Sequence, residues 1–383
     1  MALHFARSEF AGRIGAAQAS MVQHQLDGLL MFAQESMYYL TGYDTFGFCF
    51  FQCLYLGADG RLALLTRSAD LRQAQHTSII ADIRVWTDAQ GVRPAAQLRD
   101  MLASLGLAGK RLGIETNAYG LTYFNGKAVH EALDGFCALS EANTLIDALR
   151  VTKAPAELVC VRRAGELADD ALAAGAALTA AGADEGAILA AMQGAVFAGG
   201  GDYPGNEFII GSGRDALLCR YKAGRRRLSA QDQLTLEFAG VYRHYHAALM
   251  RTLIIGAPSR RQVAMHAACV EALAACEDKL RPGFTAGEVF DAHARVLDAH
   301  GLKAHRLNAC GYSLGAKFTP SWMDAPMFFA GNDWRLAPAQ VFFAHMIAMD
   351  SDSGLAMTLG RTYIITEGAP EPLSRASLDL IVR

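Results

Sequence analysis

The chain of 383 residues is long for a single hydrophobic core, so two domains are expected. A hydrophobic content of 52% and a charged content of 19% exclude a disordered protein. A formal net charge of −3 gives no indication of a nucleic-acid partner. The one basic run, residues 222–227 ("KAGRRR"), is predicted to be a solvated hairpin tip rather than a phosphate site.

Eight cysteines are scattered singly along the chain, without a C-x-x-C pair. A zinc ribbon or a thioredoxin-like motif is therefore not expected, whereas reduced thiols in a cytoplasmic enzyme are. The amino-terminal segment lacks the hydrophobic core of a signal peptide, and no apolar run reaches membrane-spanning length. We therefore expect neither a membrane partner nor a secreted protein.

The first portion alternates helical and strand patterns. The stretch "FARSEFAGRIGAAQASMVQHQ" has helical spacing, and "DGLLMFA" follows as a short buried strand. An aromatic, β-rich run ("FGFCFFQCLYLG") is followed by "ADGRLALLT", the turn and second strand of a hairpin. Next, "PAAQLRDMLASLGLAGKRLGIE" predicts a helix, a glycine stop and a strand. This alternation predicts an α/β domain with a layered sheet over residues 1–150.

The pattern changes near residue 150. Pro155 is placed for the first turn of a long amphipathic helix, and a second helix and several strands follow. Another pair of helices comes next, the second beginning with a capping box from Thr285 to Glu288, and strands complete the chain. Helix pair, sheet, helix pair, sheet is the order typical of an internal duplication. An α+β domain on one curved sheet is therefore predicted for residues 151–383.

One predicted strand pair carries three ionisable residues. The stretch "LTLEFAGVYRHYHAALMRTLIIG" (residues 234–256) contains Glu237, His244 and His246. Because side chains alternate along a strand, both histidines are expected on one face with Met250. A buried glutamate without a partner costs several kcal/mol, so a donor is expected nearby. A structural Glu–His pair would also fit, but the second histidine on the same face favours a lined pocket.

Two tempting motifs do not fit their usual context. The run "GYSLG" (residues 311–315) matches the nucleophile pattern G-x-S-x-G, but the sequence after Ser313 cannot form the helix that this motif needs. The glycine-rich "GGGDYPGN" has neither P-loop nor Rossmann spacing and predicts a tight helix-to-strand turn. Asp202 and Tyr203 are the plausible site residues of that turn.

Several segments resemble the creatinase/prolidase (M24) family of pita-bread hydrolases, over essentially the full length. "YYLTGYD" is similar to a signature of the family's N-terminal domain, and "LRVTKAPAELVCVRRAGELADDAL" to the entry helix of its catalytic domain. Four further segments follow in the family's order: "LEFAGVYRHYHAALMRT", "CGYSLG", "LAPAQVFFAHMIAM" and "GRTYIITEGAPEPLS". The resemblance implies an α/β N-terminal domain and a pita-bread catalytic domain.

The family's metallopeptidases hold two metal ions with five protein ligands: two Asp, one His and two Glu. At the matching positions this chain has Glu237, Ala248, Tyr312, His345 and Gly360. Only the first keeps a carboxylate, and alanine and glycine offer no side-chain ligand to a hard cation. The resemblance therefore implies an enzyme without the family's dimetal centre, and no metal or other cofactor is expected.

The closer resemblance is to the ectoine hydrolase and creatinase branch, whose members open small substrates without metal. The matching runs are "GGDYP", "GRDA", "E-x-A-G-x-Y-R-x-Y-H-A" and "CGY". Two departures matter. Arg220 stands near the position of the branch's catalytic histidine, and Met250 replaces a glutamate that binds substrate in creatinase, which argues against guanidinium substrates.

The resemblance implies hydrolysis of a C–N bond in a small amino-acid-derived molecule such as an ectoine-like cyclic amidine or amide. Glu237 would be the nucleophile or the general base, and His345 or His246 would supply the proton. Tyr312 would donate to the developing charge, and Arg220 would pair with a substrate carboxylate. The predicted substrate-binding residues lie on the pocket face and in the glycine-rich turn: Arg220, His244, Asp202 and Tyr203.

Three alternative functions stay open. An Xaa-Pro metallopeptidase would need the missing ligands, but a mononuclear metal hydrolase would use Glu237, His244, His246 and His345. A non-catalytic, peptidase-like binding protein is the third alternative. The resemblance also implies a homodimer in which an aromatic loop ("YDTFGFCFFQ") reaches the neighbour's pocket.

Overall fold

The computed structural model describes residues 3–220 and 225–383 of the chain. The chain divides into two units, Met1–Arg150 and Val151–Arg383. Residues 222–224, half of the basic run, lie outside the described residues. Within the described part of that run, Arg226 forms an ion pair with Asp232 at 3.2 Å, so this side chain is tied to the sheet rather than freely solvated.

The first unit alternates helices and strands, as the sequence predicts. Its helices are α1 (Arg7–Gln23), α2 (Gln34–Thr41), α3 (Leu71–Thr77), α4 (Pro94–Ser104), α5 (Tyr123–Leu133) and α6 (Asn143–Val151), which ends one residue past the boundary. Its strands are β1 (Gly28–Met31), β2 (Cys53–Gly57), β3 (Leu62–Arg67), β4 (Asp82–Trp86), β5 (Arg111–Ile114) and β6 (Ala138–Glu141).

These strands form one mixed sheet in the order β4-β3-β2-β1-β5-β6. The predicted hairpin is present, since β2 and β3 pair antiparallel, whereas β1 and β5 pair parallel. Apolar side chains alternate between the two faces of β1, so that Leu30 packs under α4 and α5 while Leu29 packs with α1, α2 and α6. A sheet covered by helices on both faces is the layered α/β arrangement that the sequence predicts.

The second unit follows the predicted order of helix pair, strands, helix pair, strands. Its helices are α7 (Pro155–Leu178), α8 (Glu185–Ala198), α9 (Arg260–Glu277) and α10 (Ala286–Ala299). Its strands are β7 (Ile209–Ser212), β8 (Asp232–Tyr242), β9 (Tyr245–Ile255), β10 (Ala309–Ser313), β11 (Asp324–Phe329), β12 (Val341–Asp350), β13 (Leu355–Ile364), β14 (Glu371–Pro372) and β15 (Ile381–Val382). The capping box of α10 is present, with Thr285 and Glu288 each bonding the other's amide.

The strands of the second unit form a sheet in the order β11-β10-β12-β13-β9-β8-β7. Helices cover one face of it: Phe342 and Leu359 pack in a core with α9 and α10, and the Tyr245 hydroxyl donates to Glu157 of α7 at 2.7 Å. Because successive side chains of a strand point to opposite faces, every second side chain of these strands points away from the helices. We call this second face of the sheet the site face.

The hairpin of β8 and β9 corrects one prediction. The turn between the strands consists of Arg243 and His244, both with positive φ, and β9 begins only at Tyr245. His244 therefore belongs to the turn, and the prediction that it shares a strand face with His246 is wrong. Two successive positive-φ residues match the right-handed twist of an antiparallel pair, so the tight turn determined this local conformation.

All eight cysteines are free thiols. Among the described residues, no helix is long and apolar enough to cross a membrane.

Candidate active site

A row of paired residues crosses five strands of the second sheet. Glu237 pairs with Ile209 on one side and with Met250 on the other, Met250 pairs with Gly360, and Gly360 pairs with His345. Directly paired residues point to the same face of a sheet, and here that is the site face. Glu237 and His345 therefore belong to one surface, although more than a hundred residues separate them in the chain.

The neighbouring row contains the two remaining positions of the family's ligand set. Tyr312 pairs with Phe343, Phe343 pairs with Thr362, and the Thr362 hydroxyl donates to the Ala248 carbonyl at 2.8 Å. All five positions carried over from the family thus lie on the site face, in two adjacent rows.

The sheet curls until its two halves face each other. Tyr312 on β10 and Glu237 on β8 are four strands apart, which is about 19 Å across a flat sheet. Nevertheless the Tyr312 hydroxyl donates to Oε1 of Glu237 at 3.3 Å. Side chains of this length close such a gap only if the strands bend toward each other, so the site face is concave.

Glu237 is mostly buried on this concave face. Burial raises the pKa of its carboxyl to about 7, while the positive charge of Arg220 and the hydrogen bond from Tyr312 partly oppose that rise. A carboxyl group with this pKa changes its protonation state near neutral pH. It is therefore suited both to accept a proton and to return it.

The two other titratable side chains of the rows are neutral at pH 7. Burial, together with the positive charges of His293 and Arg220, lowers the pKa of His345 to about 3. Burial and the charge of Glu237 raise the pKa of the Tyr312 phenol well above its ordinary value. His345 is 7% exposed, and its Nδ1 has no hydrogen-bond partner among the described residues. This nitrogen is a buried polar atom whose hydrogen-bonding capacity the described residues do not use.

Trp322 is a site residue that the sequence reasoning missed. Its side chain is 1% exposed, and its indole Nε1 donates to the Tyr312 hydroxyl at 2.9 Å. Trp322 lies after Ser313 in an irregular segment that contains no helix. This agrees with the prediction that the nucleophile motif lacks the helix it needs. Neither periodicity nor a spacing rule connects a tryptophan in such a loop to Glu237, so the sequence held no signal for it.

His246 lies on the site face, but both of its ring nitrogens are engaged. Nε2 accepts from the Gly205 amide at 2.8 Å, and Nδ1 faces the Gly315 carbonyl at 3.4 Å. An accepting Nε2 carries no proton, so Nδ1 is the protonated nitrogen. Burial lowers the pKa of His246 to about 3, which keeps the ring neutral. These contacts favour a positioning residue over the predicted proton donor.

The three residues predicted for substrate binding near the glycine-rich turn are only partly brought to the site. The His244 ring stacks on Phe318 with centroids 4.2 Å apart, and Asp202 accepts the His244 amide at 3.2 Å. Tyr203 is 81% exposed, and its ring lies against Phe197. Asp202 and His244 thus stabilise the hairpin turn, whereas no described contact joins Tyr203 to Glu237.

Arg220 acts on the site through its charge. Its positive charge opposes the rise in the pKa values of Glu237, Cys219 and Tyr312 and contributes to the lowered pKa of His345. Its side chain is exposed, which suits the rim of a pocket rather than its floor.

The donor set does not fit the family's two metal ions. Glu237 alone keeps a carboxylate, and Ala248 and Gly360 have no ligand atom. A β-carbon placed on Gly360 would lie 2.6 Å from Cζ of Phe343 and 3.0 Å from Cβ of Met250. The space from which a glutamate would reach a metal is therefore filled by an aromatic ring.

The mononuclear alternative also finds little support. Among the described residues, one group of three potential ligands has its donor atoms within 4.8 Å of one another: His305, Asp350 and Asp352. Asp350 there is paired with Arg261 at 2.9 Å, and the group does not include Glu237. Because His246 uses both ring nitrogens on backbone groups, the four residues of this alternative do not present a common donor set.

Two family models together span most of the chain. Residues 159–367 match metallopeptidase family M24, and residues 13–152 match the creatinase/prolidase N-terminal domain. Because the first match covers more than half of the chain, the chain belongs to metallopeptidase family M24. It is accordingly a hydrolase of the class that acts on C–N bonds.

Curated relatives extend over the whole chain. An ectoine hydrolase of Halomonas elongata is 26% identical over 404 residues, covering 100% of this chain and 99% of its own. An uncharacterized hydrolase/peptidase of Sinorhizobium fredii is 26% identical over 393 residues, with the same coverage. The predicted resemblance to the creatinase/prolidase family and to ectoine hydrolase is thus confirmed.

Solved structures confirm the predicted fold class. A prolidase from Thermococcus sibiricus superimposes with a TM-score of 0.88 at 18% identity, covering 98% of this chain and 99% of its own. A dipeptidase PepE from Mycobacterium ulcerans gives a TM-score of 0.84 at 24% identity and covers 99% of both chains. Identities of this size establish the fold, an α/β N-terminal domain and a pita-bread domain, and no more.

Proposed function

We propose that the chain hydrolyses a C–N bond of a small amino-acid-derived molecule, an ectoine-like cyclic amidine or amide, without a metal ion. Glu237 is the central catalytic residue of this proposal. The observation that carries it is a mostly buried carboxyl with a pKa of about 7, held by Tyr312 where the family places its first metal ligand.

Glu237 can serve as the proton carrier of the whole reaction. As a carboxylate it takes a proton from water while the water oxygen bonds to the amidine or amide carbon. The carboxylic acid then returns that proton to the leaving nitrogen as the C–N bond breaks. The neutral imidazole of His345 holds no proton to spare at pH 7, so Glu237 supports this step better than either histidine.

The remaining groups suit a small polar substrate with an apolar side. The Nδ1 atom of His345 offers a hydrogen bond, and Arg220 offers a positive charge for a carboxylate. Met250 and Phe343 lie beside Gly360 on the site face and provide apolar contact. Ectoine, a related cyclic amino acid derivative and an N-acyl amino acid all match this description, and a homologous ectoine hydrolase supports the first.

The proposal is tested with the purified full chain and a panel of ectoine, cyclic amidines and N-acyl amino acids. Products are detected by mass spectrometry, and a thermal-shift screen with the same compounds identifies ligands. We expect turnover of at least one compound and its loss in Glu237→Gln, with the melting transition intact. Replacing the exposed Glu367 by Gln in the same unit is the matched control, and it should leave the rate unchanged.

Metal content decides between this proposal and its alternatives. Elemental analysis of protein purified without added metal should find no stoichiometric metal, and a chelator should leave turnover unchanged. Stoichiometric metal with chelator-sensitive activity would establish a metal hydrolase instead. Full activity of Glu237→Gln would contradict the assignment of this residue, and stabilisation by a ligand that is never consumed would indicate a binding protein.

A further inference from the structure

The indole of Trp322 has one hydrogen-bonding option, since its nitrogen donates and cannot accept. It donates to the hydroxyl oxygen of Tyr312 at 2.9 Å. That oxygen is therefore occupied as an acceptor, and the phenol proton is left for Oε1 of Glu237 at 3.3 Å. The direction of both hydrogen bonds is fixed by the indole.

This direction distinguishes the two oxygens of Glu237. Oε1 accepts from Tyr312, so Oε2 is the oxygen that can take a proton from water or substrate. A phenol that was free to rotate would instead compete for either oxygen.

A second loop holds the indole in place. The Trp322 amide donates to the Asn206 side chain at 3.2 Å, and the adjoining Gly205 amide donates to Nε2 of His246 at 2.8 Å. A β-carbon on Gly205 would lie 2.9 Å from the Trp322 amide nitrogen and 3.0 Å from the Ser321 carbonyl carbon. Both are backbone atoms, so the loops that contain Gly205 and Trp322 pack directly against each other. No room is left between them for a side chain at position 205.

We propose that Trp322 is a positioning residue that directs the Tyr312 proton onto Oε1 of Glu237, and that His246 supports it through the loop of Gly205. This inference rests on the proposed function for its kinetic consequences. It assigns a residue that the family ligand positions do not include. It also gives His246 a place in the site without a proton transfer.

The first measurement needs no substrate. The chain has three tryptophans, so a proton–nitrogen correlation spectrum shows three indole signals, and Trp322→Phe identifies one of them by its loss. Tyr312→Phe should move the Trp322 signal upfield and leave those of Trp86 and Trp334 in place. Glu237→Gln should also move it, but not in the Tyr312→Phe background, because the tryptophan senses Glu237 only through the phenol.

The second measurement uses a compound of the proposed panel that the chain hydrolyses. Losing one well-placed hydrogen bond costs about 1–1.5 kcal/mol, so Trp322→Phe should lower kcat about tenfold with little change in KM. Gly205→Ala leaves every side chain of the site unchanged, and it should also lower kcat. It should move the Trp322 indole signal upfield, as Tyr312→Phe does. In the Tyr312→Phe background, neither change should lower kcat further.

If the Trp322 indole signal keeps its chemical shift in both Tyr312→Phe and Glu237→Gln, the inference is wrong, whatever the activity. An equal loss of kcat in the presence and absence of the Tyr312 hydroxyl would show that Trp322 acts by packing alone. If no compound is hydrolysed by any variant, the spectra still decide the positioning claim, and only the proposed function fails.

Discussion

Glu237 illustrates how burial without full charge compensation produces a usable acid–base group. Arg220 lowers the pKa of Glu237 and Tyr312 donates to it, but desolvation outweighs both. A surface glutamate would stay ionised at neutral pH, and a glutamate paired closely with arginine would be a weaker base still. The pKa of Glu237 lies above that of either case and close to neutral pH, which suits this group to proton exchange.

This pKa predicts the pH dependence of the reaction. Since Glu237 must be ionised to act as a base, kcat/KM should fall on the acidic side with an apparent pKa of about 7. Tyr312→Phe removes a hydrogen bond that lowers this pKa, so the acidic limb should move to higher pH. Rates measured from pH 5 to 9 at constant ionic strength check both statements, and a limb near the ordinary value for glutamate would contradict them.

Sequence reasoning located Glu237, Tyr312 and His345 on the site face because each occupies a position that the family resemblance carries over. It failed for Trp322 and misplaced His244 for a common reason. Both conformations are set by loops, whose geometry depends on contacts with distant segments such as Asn206 and Asp202. Strand alternation says nothing about residues that lie just outside a strand.

At the level of the strands, the contact of Gly360 with Phe343 explains why glycine is required on β13. The φ angle of Gly360 is not positive, so the requirement is one of space and not of backbone conformation. A cross-strand neighbour on β12 takes the volume that a side chain would need. The sequence shows both residues but not their contact, because register across two antiparallel strands is fixed by the whole sheet.

The contact predicts non-additive stability effects. Gly360→Ala should destabilise the protein by about 1–3 kcal/mol, because the added methyl group crowds the Phe343 ring. In a Phe343→Leu background, which lacks the crowding ring atoms, the same change should cost much less. Urea unfolding of the single and double variants measures the coupling. Gly194→Ala in α8, where nothing lies within 4 Å, is the control and should be neutral or stabilising, and strict additivity of the first pair would contradict the argument.

On the scale of the whole molecule, each unit contains a carboxyl whose pKa burial raises to about 7: Glu115 in the first and Glu237 in the second. Glu115 accepts hydrogen bonds from the amides of Phe32 and Ala33, immediately before α2, and from the hydroxyl of Ser36 in its first turn. Its burial therefore follows from a helix start, whereas that of Glu237 follows from the curled sheet.

Both groups make stability depend on pH in the same direction. A carboxyl with a raised folded pKa contributes stability that is complete below about pH 4.5 and is lost as the pH rises through about 7. As the pH rises from 5 to 8, the free energy of unfolding of Glu115→Gln and of Glu237→Gln should each increase relative to that of the unsubstituted chain. The expected increase is about 1–3 kcal/mol. Thermal unfolding across this range, with Glu367→Gln as a flat control, checks the sign, and a relative gain toward low pH would contradict it.

The division near residue 150 and both sheets follow from patterns that sequence carries well: helical spacing, alternation, glycine stops and a capping box. The homodimer, the cytoplasmic location and the reach of the aromatic loop into a neighbour's pocket stay predictions. Phe46 of that loop is 81% exposed, as such a role requires.

The ring of Phe343 also bears on how this branch of the family can change. A glutamate introduced at Gly360 would clash with the Phe343 ring. If the ring were removed first, it would leave a void next to the unchanged glycine. Each of these two changes is therefore penalised until the other has occurred. Such mutual dependence is epistasis: a lineage starting from this chain would have to change both positions together before a carboxylate could occupy position 360 without a packing cost.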